Sequence, residues 1–177
     1  LRADRVGAWG YERDTTPTLD RLAAEGVALT RVFAEAPYTR SSMATVFSAH
    51  SWRDHQVLGT GDALGSHFTT LAELLQEHGW QTWAVSDNSN VARSASSAQG
   101  FDEFVQTWSD VDLVPDDPDQ WWWPEKPVVV WERRLAEGFE EARPVFAYLH
   151  LMPPHEPYFP GPEHDRFGDA GYRGPVT

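Results

Sequence analysis

The chain has 177 residues, 41% of them hydrophobic, enough for one domain with a real core. Its 27 acids against 14 bases leave a formal net charge of −13, which argues against a nucleic-acid-binding surface, because that needs a basic stripe. With no cysteine there is no disulfide, thiolate metal site or thiol nucleophile in these residues, and no run approaches the ~18 apolar residues of a membrane span.

The sequence opens on Leu1 and closes on Val176-Thr177, just after a Gly-Pro turn signal, and is expected to be a piece of a longer protein. No targeting segment is visible, so the compartment stays open. Residues 1–11 are Gly-punctuated and polar and are expected to form a loop. Thr16-Pro17 then predicts a helix start, with a threonine cap, proline in the first turn and Leu19, Leu22 and Ala23 on one face; Gly26 stops it. The β-branched and apolar run Val27 to Ala34 predicts a strand.

Pro37 ends that run by removing a backbone donor, and Thr39, Ser41 and Ser42 follow. Met43, Val46 and Phe47 stand at i, i+3 and i+4, the spacing of a buried helix face. A hydroxyl at a helix start either caps the helix or, beside N–H groups that welcome an oxyanion, attacks a phosphorus or sulfur centre. A loop from Ser51 to Gly65, holding His55 and following His50, leads to a helix capped by Thr70 and stopped by His78-Gly79. Gln81 to Ser86 predicts a strand that delivers the polar loop Asp87-Asn88-Ser89-Asn90 at its carboxyl end, where α/β sheets bind ligands.

Gly100 to Phe104 reads as a short turn with two aromatic anchors. Residues 110–127 form an Asp- and Pro-rich loop in which Trp121 to Trp123 serve loop packing or, alternatively, sugar stacking or a lipid interface. A helix is predicted over 128–142 and a buried strand over 144–152, with His150 partly buried and satisfied. That strand runs into Pro154-His155-Glu156-Pro157, where the prolines cut the entropy of holding an imidazole as general acid or anion binder; the alternative is an exposed loop histidine. The tail from Phe159 is Gly- and Pro-rich loop. The Thr39 and His155 loops are expected at one edge of one sheet, with Asp87-Asn88 on a third loop there.

Four segments in order carry a family resemblance: residues 1–11 with Thr16-Pro17-Thr18-Leu19-Asp20-Arg21-Leu22-Ala23, then Ala36-Pro37 to Ala49, Gln99-Gly100-Phe101-Asp102, and Tyr148-Leu149-His150 to Pro157-Tyr158. Together they resemble the sulfatase family within the alkaline phosphatase superfamily, over nearly the whole chain. The resemblance implies an α/β fold, an alkaline-phosphatase-like sandwich of helices around a mostly parallel mixed sheet, with residues 1–177 as the N-terminal portion of one catalytic domain. In the family the nucleophile stands nine residues before a Thr-Gly pair; Ser48-Ala49 takes that pair here and puts Thr39 at the nucleophile. His155 falls on the family's substrate-anion histidine. Asn88 and His150 are the candidate substrate-binding residues, Asn88 near where other members place polar substrate contacts.

The departures are informative. Sulfatases use a Cys-x-Pro-x-Arg pattern whose cysteine, or sometimes serine, is oxidised to formylglycine; here Ser41 replaces the proline and Met43 the arginine. Threonine does not yield an aldehyde hydrate by that route, whereas a metal-bound threonine alkoxide resembles the phosphoryl-transferring relatives. The resemblance therefore implies metal-assisted displacement on a sulfate or phosphate ester. The divalent cation (calcium, magnesium or manganese, with zinc as an alternative) would be held by Thr39 and by acids outside these residues, Asp4 being structural. Small-molecule, glycan or lipid esters are the implied substrates, and nucleic acid is not. Two alternatives stay open: a transferase moving a phospho-headgroup, and a binding protein that kept the fold without the chemistry.

Overall fold

The computed structural model describes residues 1–111, 125–153 and 155. The Trp121–Trp123 run and the tail from Phe159 lie outside the described residues. The chain forms two compact units, one of residues 1–33 with 153–177 and the other of residues 34–152.

In the first unit, two single 3-10 turns, Ala3–Arg5 and Gly7–Trp9, precede helix α1 (Pro17–Glu25). Thr16 occupies the N-cap position as expected, but its hydroxyl does not cap the helix. It accepts from the Gly7 N–H at 3.0 Å and donates to the Asp20 carboxylate at 3.1 Å, while Asp20 also takes the Ala8 N–H at 2.7 Å. The loop before α1 is thus tied to its first turn, where the helix dipole favours a carboxylate. Asp4 pairs with Arg2 at 2.9 Å on the surface, in keeping with a structural role. The strand expected over Val27 to Ala34 is not formed: no strand pairs with this segment among the described residues, and Val27, Val32 and Phe33 are exposed. Apolar composition alone does not make a strand, because its backbone groups need a ladder partner.

The second unit is built on a three-stranded parallel sheet in the order β2-β1-β3, from β1 (Gln81–Ser86), β2 (Glu103–Gln106) and β3 (Val145–His150). Helix α2 (Thr39–Ser48) leads through α3 (Trp52–His55) and α4 (Leu71–Glu77) to β1, and α5 (Lys126–Glu137) joins β2 to β3. The register aligns Ser86 with both Gln106 and His150, so all three strands deliver their carboxyl ends at one edge.

Every residue of β1 is buried, and its period-2 alternation divides the core between two layers. Ala84 faces Phe47 of α2, Val91 and Phe104; Trp83 and Val85 face Val130 of α5, with Trp131 stacked on Trp83 at a ring distance of 4.6 Å. A central parallel strand covered on both faces is the arrangement that βαβ crossovers produce. Helix α2 packs its far side through Ala44 on Val57 and Leu64.

Several boundaries differ from expectation. Residues 103–106 form strand β2 rather than a turn, because the aromatic anchor Phe104 sits in the core and its backbone pairs with Ala84. The loop after α2 contains the single turn α3, closed by a Ser51–Asp54 capping box. Helix α5 ends at Gly138, whose φ of 80° breaks the helical run before residue 142. Thr70 caps α4 as expected, accepting the Glu73 N–H, and Glu73 reaches back to the Thr70 N–H.

Candidate active site

Thr39 enters the structure as the first helical residue of α2, after Tyr38 in the N-cap position, rather than as the cap. It does not follow a strand, since none forms before it. The Thr39 side chain is half-buried and its hydroxyl makes no hydrogen bond among the described residues. An unengaged hydroxyl in a helix's first turn stands among N–H groups that no preceding turn satisfies. That microenvironment carries partial positive charge and suits an oxyanion.

Its two neighbours are both tied to the loop after β1. The Tyr38 hydroxyl donates to Asn90 Oδ1 at 2.8 Å. Arg40 is buried, at 8% exposure, and donates from Nη1 to the Asp62 carbonyl at 2.9 Å and from Nη2 to the Ser89 carbonyl at 3.2 Å. The start of α2 is thereby fastened on both sides of Thr39 to residues 89–90.

The same loop opens a polar chain along the sheet edge. The Asn90 N–H donates to Asn88 Oδ1 at 2.9 Å, which turns the Asn88 amide nitrogen toward His150 Nε2 at 3.3 Å. An amide nitrogen only donates, so Nε2 is the unprotonated nitrogen and the proton resides on Nδ1. From Nδ1 it is given to the Tyr148 hydroxyl at 2.6 Å, and that hydroxyl points on to Met43 Sδ at 3.8 Å. Burial holds the His150 imidazole below its usual pKa, consistent with the neutral tautomer, and pushes the Tyr148 phenol well above its own. The structure therefore brings Asn88 and His150 together, and His150 is satisfied and partly buried as its strand position suggests. Met43 faces Tyr148 and the Phe47 cluster, so the fifth residue of α2 is an apolar contact here.

Asp87, beside Asn88, is pushed above the usual carboxylate range by burial, opposed by the hydroxyl of Thr107, which donates to it. His55 braces α2 from the other side. The Val57 N–H donates to Nδ1 at 3.0 Å, so Nε2 carries the proton and donates to Thr45 at 3.0 Å; burial lowers its pKa. His155 is exposed and falls in the first compact unit, and its flanking Pro154 and Pro157 lie outside the described residues.

Sequence reasoning did not select Tyr38, Arg40, Asn90 or Tyr148. Arg40 carried one signal: a cation beside a candidate nucleophile with no acid three or four residues away on its own helix. Among the described residues no three His, Asp or Glu converge to hold a metal ion. By themselves, then, these residues do not build the expected cation site, to which they offer at most Thr39. No described helix is long and apolar enough to cross a membrane.

Solved structures share this fold. A protein determined with its substrate D-glucosamine-2-N,6-O-disulfate matches with a TM-score of 0.69 at 18% identity, over 90% of this chain and 33% of that one. Phosphonate monoester hydrolase of Agrobacterium radiobacter matches with a TM-score of 0.69 at 20% identity, over 93% of this chain and 41% of that one. These likenesses bear out the α/β, alkaline-phosphatase-like fold class. The chain belongs to the sulfatase family, whose model matches residues 1–173. Human arylsulfatase D is 35% identical over 91 residues, 45% of this chain and 15% of that protein. The chain thus spans well under half the length of the relatives it matches.

Proposed function

We propose that the whole protein hydrolyses a sulfate, phosphate or phosphonate ester with the Thr39 hydroxyl as nucleophile. The observation that supports this most is the free hydroxyl in the first turn of α2, nine residues before Ser48-Ala49, in a chain of the sulfatase family. Thr39 gives up its hydroxyl proton to water as Oγ attacks the sulfur or phosphorus, the bond from that atom to the ester oxygen breaks, and the leaving oxygen takes up a proton. The family resemblance gives His155 the part of holding the oxyanion or supplying that proton, and the first-turn N–H groups of α2 suit the charge that develops on the ester oxygens. Water then cleaves the threonyl ester and frees sulfate, phosphate or, from a phosphonate monoester, the phosphonate.

Asn88 and His150 take the substrate side of the site; reorienting the Asn88 amide would free it for a substrate hydroxyl while His150 keeps its Tyr148 partner. A divalent cation with most of its ligands outside the described residues would neutralise ester charge and lower the pKa of the Thr39 hydroxyl. One structural neighbour was determined with a sulfated glucosamine and another is a phosphonate monoester hydrolase, so sulfated sugars and phosphonate monoesters are the first substrates to assay. In the full-length protein Thr39→Ala is expected to remove turnover by about a thousandfold or more, as loss of a nucleophile does. Wild-type turnover in that variant would return Thr39 to a packing role. If wild type turns over none of these esters, the binding-protein reading takes its place.

A further inference from the structure

We infer that Arg40 is the positioning residue of the Thr39 site: its guanidinium fixes the start of α2 to the loop after β1 and sets an unpaired positive charge one residue from the candidate nucleophile. The inference rests on the reading of Thr39 given above and adds to it a residue that the sequence reading did not select.

Three observations carry it. Arg40 is more than nine-tenths buried, yet no carboxylate pairs with it among the described residues; its contacts are the carbonyl oxygens of Asp62 and Ser89. Its Nε–H is buried and has no partner. And its Ser89 bond, with the Tyr38–Asn90 bond on the other side of Thr39, spans the residues that adjoin Asn88. A buried cation without a carboxylate carries a desolvation cost that an aliphatic side chain of the same reach would avoid. Two carbonyl dipoles offset part of that cost and leave the positive charge uncancelled. The N–H groups of Leu58 and Gly59 occupy Oδ2 of Asp62 and hold its carboxyl below the usual range, the Arg40 charge adding only the smallest contribution, so this carboxylate is engaged elsewhere and makes no ion pair with Arg40. What remains is a positive field at the first turn of α2, in the same sense as the helix's own N–H groups. The planar fork also suits the geometric part: two rigid donors reach two separate backbone segments at once, which an ammonium on a flexible stem does less well. With an apolar Met43 one turn further on, Arg40 is the guanidinium that α2 brings to the Thr39 end.

The test uses the full-length protein and the variants Arg40→Gln, Arg40→Lys and Tyr38→Phe, with kcat and KM measured on an aryl sulfate and an aryl phosphonate and with inorganic sulfate as a competing anion. Arg40→Gln is expected to lower kcat at least tenfold with KM changed less than threefold, and to weaken sulfate binding several-fold. Arg40→Lys, which keeps the charge but not the fork, should recover sulfate binding while leaving kcat low. Tyr38→Phe, which keeps the ring, should lower kcat with sulfate binding unchanged; it also serves if Arg40→Gln does not fold. A folded Arg40→Gln protein with wild-type kcat and wild-type sulfate binding overturns the inference. If wild type hydrolyses neither ester, the nucleophile reading has failed, and sulfate binding with amide exchange over residues 39–42 decides the Arg40 question. Faster exchange and weaker binding in Arg40→Gln uphold it, and no change in either overturns it.

Discussion

At the scale of single residues, the sheet edge is set by which atoms donate and which accept. His150 has both ring nitrogens engaged, Nε2 by the Asn88 amide and Nδ1 by the Tyr148 hydroxyl, and protonating Nε2 would set two donors against each other. Burial lowers the folded-state pKa of His150, and of His55, from the ordinary 6.5. The unfolded chain then binds protons that the folded one refuses, so stability is full above about pH 6.5 and falls as pH drops toward the lowered values. Each histidine contributes a slope of at most about 1.4 kcal/mol per pH unit, less where solvent reaches the ring. Asp87, raised in the fold by burial, acts in the opposite sense, above its ordinary 3.8. Urea unfolding of the full-length protein between about pH 5 and 8 should show this slope, and His150→Asn should flatten it. An unchanged slope in that variant would mean His150 titrates alike in both states.

At the scale of elements, α4 is held by two devices of different strength. Its Thr70–Glu73 capping box satisfies two otherwise orphaned N–H groups, and Thr70→Ala should cost about 1 kcal/mol. Gly100 packs against the same turn: its φ is +82°, and a Cβ there would lie 2.3 Å from the Glu73 nitrogen and 2.8 Å from the Ala72 carbonyl carbon. Gly100 is held against that turn, because Thr82 Oγ1 donates to its carbonyl at 2.8 Å, and the Glu73 N–H is itself tied to the Thr70 hydroxyl at 3.2 Å. Gly100→Ala should therefore cost about 3 kcal/mol, from left-handed strain and overlap together, well above Thr70→Ala in the same denaturation assay. Equal losses would mean the turn relaxes freely. The elements also show where sequence sufficed. Helices α2 and α4 and strand β1 carry their signals locally, in a proline, a capping box or a run of β-branched and aromatic residues. The Val27 to Ala34 run has a strand's composition and no ladder partner among the described residues, while β2 is a strand because Ala84, twenty residues earlier, pairs with Phe104. The contacts of Tyr38 and Arg40 could not be read for a related reason: these partners lie 52 and 49 residues away, at Asn90 and Ser89. Thr39 itself was marked by its place before the apolar i, i+3, i+4 set, but only the fold shows that Tyr38 takes the cap position.

At the scale of the whole molecule, chemistry at Thr39 calls for more positive charge than these residues supply. A sulfate or phosphonate ester is an anion, its attack by a neutral hydroxyl adds charge to the equatorial oxygens, and the 177 residues together carry −13. The α2 N-terminus and Arg40 offset part of that, and no acid or histidine cluster among the described residues gathers a cation to do the rest. On the proposed mechanism, a cation would need ligands beyond the described residues. The full-length protein is accordingly expected to lose its turnover when dialysed against a chelator and to regain it with calcium, magnesium or manganese. Chelation of the Thr39→Ala variant should then cost little more, since nucleophile and cation would act as one unit and their losses would not add. Undiminished turnover in the chelator would leave the hydroxyl to be activated by protein groups alone. Full additivity with Thr39→Ala would mean that the cation serves folding or substrate binding rather than the attacking oxygen.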